Sequence, residues 1–307
     1  MNQFGNDESA GNYALGLDLG GSSVKAVAVT ATGSRPGRWQ EPFDPARPRH
    51  FADVTRALAH RIETERGRPP QHIGLSAPGL PAADGRSIAF MPGRLAGLEG
   101  LDWGAFLGRT ELVPVLNDAQ AALLGEAWQG AAVGSRNVIL LTLGTGVGGA
   151  AMVDGHLLHG SIGRAGHLGH ICLELDAPAD VSNTPGSLEY HLGNYSLAER
   201  SGGRFTNTEE LVRAHLTGDA LASALWLKSV RALAAGVASL INVLDPEIIL
   251  LGGGIARAGE ALFKPLADFL DHFEWRPGGH RAKICSTQLG EFAGAVGAAA
   301  KALDRFP

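Results

Sequence analysis

The sequence predicts an α/β protein built from two related domains, and three observations carry that prediction. Apolar runs of strand length alternate with helical patterns over 307 residues, enough chain for two cores. Two glycine-tipped hairpins of one plan, YALGLDLGGSSVKAVAVT at 13–30 and VILLTLGTGVGGAAMVDG at 138–155, stand about half a chain apart and read as an internal repeat. Glycine reaches 43 residues, about twice the usual ~7%, and clusters where apolar strands end. Glycine has a backbone-entropy cost, so such clusters mark tight turns or close approach to a ligand. Two unrelated hairpins of an ordinary α/β protein are the competing account of the repeat.

The elements follow in order. After the first hairpin, residues 49–66 read as a helix ending near Gly67 and Pro69-Pro70. HIGLSAPGLP, 72–81, is a short strand entering a Pro-Gly loop. VPVLNDAQAALLGEAWQ, 113–129, is a strand followed by a helix, with Asn117 or Asp118 as N-cap. Past the second hairpin, residues 219–244 form a long Ala/Leu helix stopped by Asp245-Pro246. In PEIILLGGGIARAGEALF, 246–263, a buried strand runs into three glycines and then a helix. A Gly/Ala-rich helix follows at 291–304, its small residues permitting close packing. No linker separates the halves, so they are expected to share a cleft.

Composition narrows the function classes. The formal net charge is −5, with no basic excess to hold a polyanion, which argues against nucleic acid as main partner. Two cysteines, Cys172 and Cys285, cannot build a disulfide framework. The N-terminal MNQFGNDESAGNY is polar and lacks the apolar stretch of a leader, and no apolar run approaches the ~18 residues of a membrane span. The expectation is a cytoplasmic protein with no membrane partner.

The glycine turns bring chemistry. Successive N–H groups in such a turn form a nest for phosphate oxygens, and a helix N-terminus after three glycines favours negative charge. Two nests and one such helix start fit a polyphosphate and its nucleoside. GxxxxGK[ST] is absent, and GTGVGG at 144–149 is followed by a strand rather than a helix, so neither a P-loop nor a Rossmann fingerprint is present. Asp18, between the first strand and its glycines, reads as a turn aspartate or as a Mg²⁺ ligand, directly or through water. Asp118, at a strand end and helix start, reads as an N-cap or as the base that accepts a proton from an attacking hydroxyl in phosphoryl transfer.

These segments together resemble the ROK family (repressors, open reading frames, kinases) of bacterial sugar kinases. LGLDLGGSSVKAVAV is similar to its first phosphate loop, SAPGL to its Pro-Gly loop, and LNDAQAALLGEA to its catalytic segment. LTLGTGVGGAAMVDG is similar to the second phosphate loop, GRAGHLGH to the signature, SLE at 187–189 to the sugar-binding Glu segment, and LLGGGIA to the adenosine-side loop. The resemblance implies a two-domain actin-like ATPase fold, a duplicated ribonuclease H-like fold with a central cleft. It implies a smaller domain of residues 1–117 plus 291–307 and a larger one of 118–290.

It further implies ATP- and Mg²⁺-dependent phosphorylation of a hexose-like sugar, usually at the 6-hydroxyl, with Asp118 as base, and a homodimer that closes on its substrates. Asn117, Gly79, Arg94, His167, His170 and Glu189 would bind sugar. Asp18, Gly20, Gly21, Ser22, Gly144, Thr145 and Gly146 would hold phosphates and Mg²⁺, with Gly253 and Gly254 near the nucleoside.

Four departures from the family pattern matter. The family's structural zinc uses the signature's last histidine and three cysteines; here His170 remains, but Asp180, Ser182 and Ser187 stand at the cysteine positions, so no zinc is expected. His167 replaces a usual glutamate and Arg94 a usual asparagine, which fits a substrate carrying carboxylate or phosphate as well as a neutral sugar. The phosphate loop reads GGSS rather than Gly-Gly-Thr-Lys, with Lys25 close behind. The four histidines of HLLHGSIGRAGHLGH, namely His156, His159, His167 and His170, also suggest a metal site of their own. Two rival functions stay open: a degenerate kinase that binds sugar or nucleotide without turnover, and a repressor. About a dozen residues precede the first strand, too few for a helix-turn-helix.

Overall fold

A computed structural model describes residues 12–306; residues 1–11 of the polar N-terminal stretch lie outside the described residues. Packing divides the chain into two compact units. One comprises the chain up to Gly134, His159–Ala165 and the chain from Leu289 on; the other comprises Ser135–Leu158 and Gly166–Gln288.

In the first unit the expected hairpin forms, β1 (Tyr13–Leu19) and β2 (Ser23–Thr30), with Leu19 opposite Val24. β3 (Gly37–Pro42) extends it. The helix α1 (His50–Arg66) stops where Gly67 takes a left-handed conformation (φ 67°) and its N–H bonds the carbonyls of Glu63 and Thr64. β4 (His72–Ala77) leads to a small ribbon of β5 (Leu80–Pro81) and β6 (Ile88–Phe90). After the single turn α2 (Trp103–Phe106) come β7 (Val115–Asn117) and α3 (Asp118–Gln129). The sheet order is β3-β2-β1-β4-β7, with β1, β4 and β7 parallel.

The second unit repeats this plan. β8 (Val138–Leu143) and β9 (Val147–Val153) form the second hairpin, extended by β10 (His156–Leu157). Helices α4 (Leu188–Leu192), α5 (Leu197–Arg200), α6 (Thr208–Leu216) and α7 (Ala220–Leu244) precede β11 (Ile248–Gly252), α8 (Glu260–Phe273) and β12 (Lys283–Ser286). The order β10-β9-β8-β11-β12 matches the first sheet strand for strand, with β8, β11 and β12 parallel. The internal repeat is therefore a repeat of topology, which two unrelated hairpins would not produce.

Two expectations are corrected. α7 is long and apolar enough to cross a membrane by length and composition, although the sequence reading found no such run. An uninterrupted-run criterion is broken by Lys228 and Arg231, whereas the average over the helix is not. Half of its apolar window is buried, Trp226, Val230, Leu233 and Val237 fully so, in the second unit's core with Leu188, Leu211 and Leu266. The three glycines do not run straight into a helix either. A 3-10 turn, Ile255–Ala258, and Gly259 come before α8, so no α-helix N-terminus sits at the glycines.

The last helix, α9 (Ala293–Ala302), belongs to the first unit and packs along α3, β1 and β4. That packing carries α3, which follows the boundary expected at 117/118, into the first unit. Glycines make the approach possible. A Cβ at Gly16 of β1 would stand 1.8 Å from the Ala295 carbonyl oxygen, and one at Gly297 would stand 1.7 Å from that of Ala121. Gly297→Ala is therefore expected to destabilise the protein by about 3 kcal/mol, because backbone cannot yield as a side chain can. Urea unfolding measures this, and an unchanged midpoint refutes the close-packing account.

Candidate functional site

In the first unit, the sheet register sets polar groups in a row at the C-terminal ends of parallel strands. Asp18 on β1 lies beside Ser76 on β4, and Ala77 beside Asn117 on β7. Ser76 is fully buried and its hydroxyl donates to Asp18 Oδ1 at 2.6 Å. Burial raises the Asp18 carboxyl to a pKa of about 6; the like charge of Asp118 adds to the rise, while Ser76 and Lys25 oppose it. An anion held at such a cost is poised for a cation. Lys25 itself is paired with Glu291 at 3.1 Å.

The choice of N-cap is decided here. Asn117 caps α3: its side-chain oxygen accepts from the Ala119 N–H at 3.0 Å, and Gln120 Oε1 accepts from the Asn117 N–H at 3.3 Å. Asn117 Nδ2 donates to the Gly79 carbonyl at 3.0 Å. Gly79 has φ 103° and no space for a Cβ, which would meet the Phe90 carbonyl oxygen at 2.6 Å. Asp118 is thereby relieved of capping. It is the first residue of α3, its carboxylate exposed, with Oδ1 accepting from the Ala119 N–H at 2.8 Å.

The first glycine turn follows β1. The Gly20 N–H is bonded to the Ser23 carbonyl at 2.9 Å, so the nest rests on the donors after it. Arg94 lies against this turn, its Nη2 2.8 Å from where a Gly21 Cβ would stand, and both line a cavity of about 710 Å³ with Met91 and Glu99. Arg94, expected at the sugar, thus lies against the first glycine turn, with no ion-pair partner among the described residues.

The second unit gathers the other turns. The Gly144 N–H bonds the Gly146 carbonyl at 2.9 Å across the β8–β9 turn. Because β11 pairs with β8, Gly253 comes up beside this turn; with φ 87° it approaches so closely that a Cβ would meet the Leu143 carbonyl oxygen at 2.3 Å. Glu189, on α4, is buried against the same turn, its Oε2 accepting from the Val147 N–H at 2.8 Å. Burial raises its pKa against the pull of Val147 and His170. Asn194 and Tyr195 donate backbone N–H bonds to the Gly144 and Thr145 carbonyls, both at 3.0 Å. Beside them lies a cavity of about 550 Å³ lined by Asn194, Thr208, Val212, Arg213, Gly254 and Ile255. Ser76, Asn194 and Thr208 escaped the sequence reading, since their pairings span strands and helices and leave no local signal.

The four histidines separate. His156 Nδ1 lies 3.1 Å from the Asp154 carbonyl oxygen, and His159 packs with the first unit, where burial and the Lys301 charge lower its pKa. His167 precedes the 3-10 turn Leu168–His170. Among the described residues, the donors that gather as a candidate metal group are those of His170, Asp180 and Glu189, not the four histidines.

The ROK family pattern matches residues 14–305. The chain is 31% identical to a glucokinase of Thermotoga maritima over 93% of its own length and 95% of the relative's. A ROK hexokinase from Thermus thermophilus superposes with a TM-score of 0.83 at 31% identity, covering 94% of this chain and 97% of that one. A ROK glucokinase from Streptomyces griseus, solved with glucose and AMPPNP, gives a TM-score of 0.75 at 26% identity over 95% and 99%.

Proposed function

The chain belongs to the ROK family, and on that premise we propose that it transfers the γ-phosphoryl group of ATP to a hexose-like sugar, at the 6-hydroxyl. It is a sugar kinase, a phosphotransferase with an alcohol as acceptor. Its fold is the two-domain actin-like ATPase fold of its structural relatives. The observation that carries the reaction is Asp118, a carboxylate at a strand end that another residue has freed from capping.

The residues divide the task. Asp118 accepts the proton of the sugar hydroxyl as its oxygen attacks phosphorus. Asn117 and Gly79, tied to each other, hold that hydroxyl's surroundings, and His167, His170 and Glu189 bind the rest of the sugar. Gly21, Ser22, Thr145 and Gly146 take phosphate oxygens in turns that the Gly20 and Gly144 N–H bonds close, with Arg94 over Gly21 supplying a guanidinium. Gly253 and Gly254 border the nucleoside, for which the 550 Å³ cavity is large enough. Asp18 fits Mg²⁺, being a hard oxygen donor whose buried charge lacks a full counter-charge. Bound there, Mg²⁺ would neutralise charge on the β- and γ-phosphate oxygens. The same reading takes ATP and sugar as partners, without nucleic acid or membrane, in a cytoplasmic homodimer.

The test is ADP release across a panel of neutral aldohexoses, sugar acids and sugar phosphates, with Asp118→Ala as control. Turnover confined to anionic sugars would assign Arg94 and His167 to the acidic group. ATP binding without turnover on any sugar would favour the regulator reading instead.

A further inference from the structure

The donors around His170 do not suit a metal ion. His170 Nδ1 and Asp180 Oδ2 stand 2.7 Å apart, a hydrogen bond, whereas two ligands of one tetrahedral zinc stand roughly 3.3 Å apart given bonds of ~2.0–2.1 Å. The lone pairs of Asp180 are also occupied. Its Oδ1 accepts from the Ser182 N–H at 2.8 Å, the Ser182 hydroxyl at 2.7 Å and the Thr184 N–H at 3.0 Å, and the Ser187 side chain bonds the carboxylate too. The Asp180 side chain has 0% exposure, so these bonds are made away from water. Burial by itself would raise its pKa, yet the bonds from His170, Ser182, Ser187 and Thr184 hold it well below the usual carboxylate range.

The surrounding loop is closed on itself. A bridge pairs Cys172 with Ser187, a second pairs Ala179 with Pro185, and the Asp180 N–H bonds the Thr184 carbonyl at 2.9 Å. Asp180 sits at the centre of this closure and touches His170 at its edge.

We propose that Asp180 is a positioning residue that orients His170 toward the sugar, as the core of a metal-free clamp made with Ser182, Thr184 and Ser187. The proposal rests on the sugar-kinase reading of His170. An ionised carboxylate only accepts hydrogen bonds, so Nδ1 carries a proton and Nε2 is the ring nitrogen left to meet a sugar hydroxyl. A thiolate-bound metal would set the same ring by coordination; here charge-assisted hydrogen bonds set it.

Three measurements on protein purified without a histidine tag test this. Long-range ¹⁵N–¹H spectra of the imidazole rings should show His170 protonated on Nδ1, and Asp180→Asn should abolish that signature. Kinetically, Asp180→Asn should raise KM for the sugar about tenfold or more while KM for ATP stays within about twofold, and Ser182→Ala, the milder change, should raise sugar KM about threefold. The double variant His170→Ala/Asp180→Asn should be no worse than His170→Ala alone, because Asp180 acts through the ring. Additive losses, a ring protonated on Nε2, or stoichiometric zinc in the purified protein would each overturn the proposal. If the wild type phosphorylates no sugar, the kinase reading fails, while the tautomer still decides the role of Asp180.

Discussion

Asp118→Ala is expected to lower kcat by about 10²–10⁴-fold, with sugar KM within a few-fold and the fold intact. The separation of these effects follows from the geometry. Asn117 makes the cap and the tether to Gly79, so Asp118 contributes to α3 mainly as an exposed negative charge in its first turn. That contribution is about 0.3–1 kcal/mol, too small to unfold the protein. Asn117→Ala should behave in the opposite way, losing about 1 kcal/mol of capping and raising sugar KM as Gly79 loses its partner. Steady-state kinetics with a thermal melt on each variant separates the two roles. A kcat within tenfold of wild type for Asp118→Ala would remove Asp118 as the base.

Asp18→Asn is expected to disable the enzyme and yet stabilise the ligand-free protein. Its carboxyl has a pKa of about 6 in the folded protein against an ordinary 3.8, so the folded state holds the proton more tightly than the unfolded chain. Below about pH 4 both states are protonated and the carboxyl has no electrostatic cost. Between there and pH 6 the unfolded chain ionises first and stability falls as pH rises; above pH 6 the loss is complete, on the order of 2–3 kcal/mol. Asparagine retains an acceptor for the Ser76 hydroxyl without the charge, so it should melt higher than wild type at pH 8 and equally at pH 4. Saturating Mg²⁺ and ATP should stabilise the wild type but not the variant. A lower melting temperature for Asp18→Asn at pH 8 would show that the buried charge is not a liability, and the argument for a cation there would lose its basis.

Both predictions concern residues that break a local rule, a desolvated carboxylate without a full counter-charge and a helix-start carboxylate that leaves the cap to its neighbour. Sequence reasoning located both but left each with two readings, because a turn aspartate and a cation ligand have the same neighbours in the chain. Arg94 illustrates a different gap. Its position by alignment pointed to the sugar, whereas its side chain lies along the glycine turn, 2.8 Å from the place of a Gly21 Cβ. A long side chain's direction depends on packing that no spacing encodes.

Alone, the sequence determined the two hairpins, the helix that ends at Gly67, the α7 and α9 segments and the order of the glycine turns. Each depends on a local cause: alternating apolar residues, a positive φ that glycine allows, a proline that ends a helix. Tertiary structure decided that Asn117 rather than Asp118 caps α3, that a 3-10 turn follows the three glycines, that α9 closes onto β1 and β4, and that Asp180 holds His170. These rest on hydrogen bonds and backbone approaches between distant segments, whose geometry exists only once the strands are in register and the helices have packed.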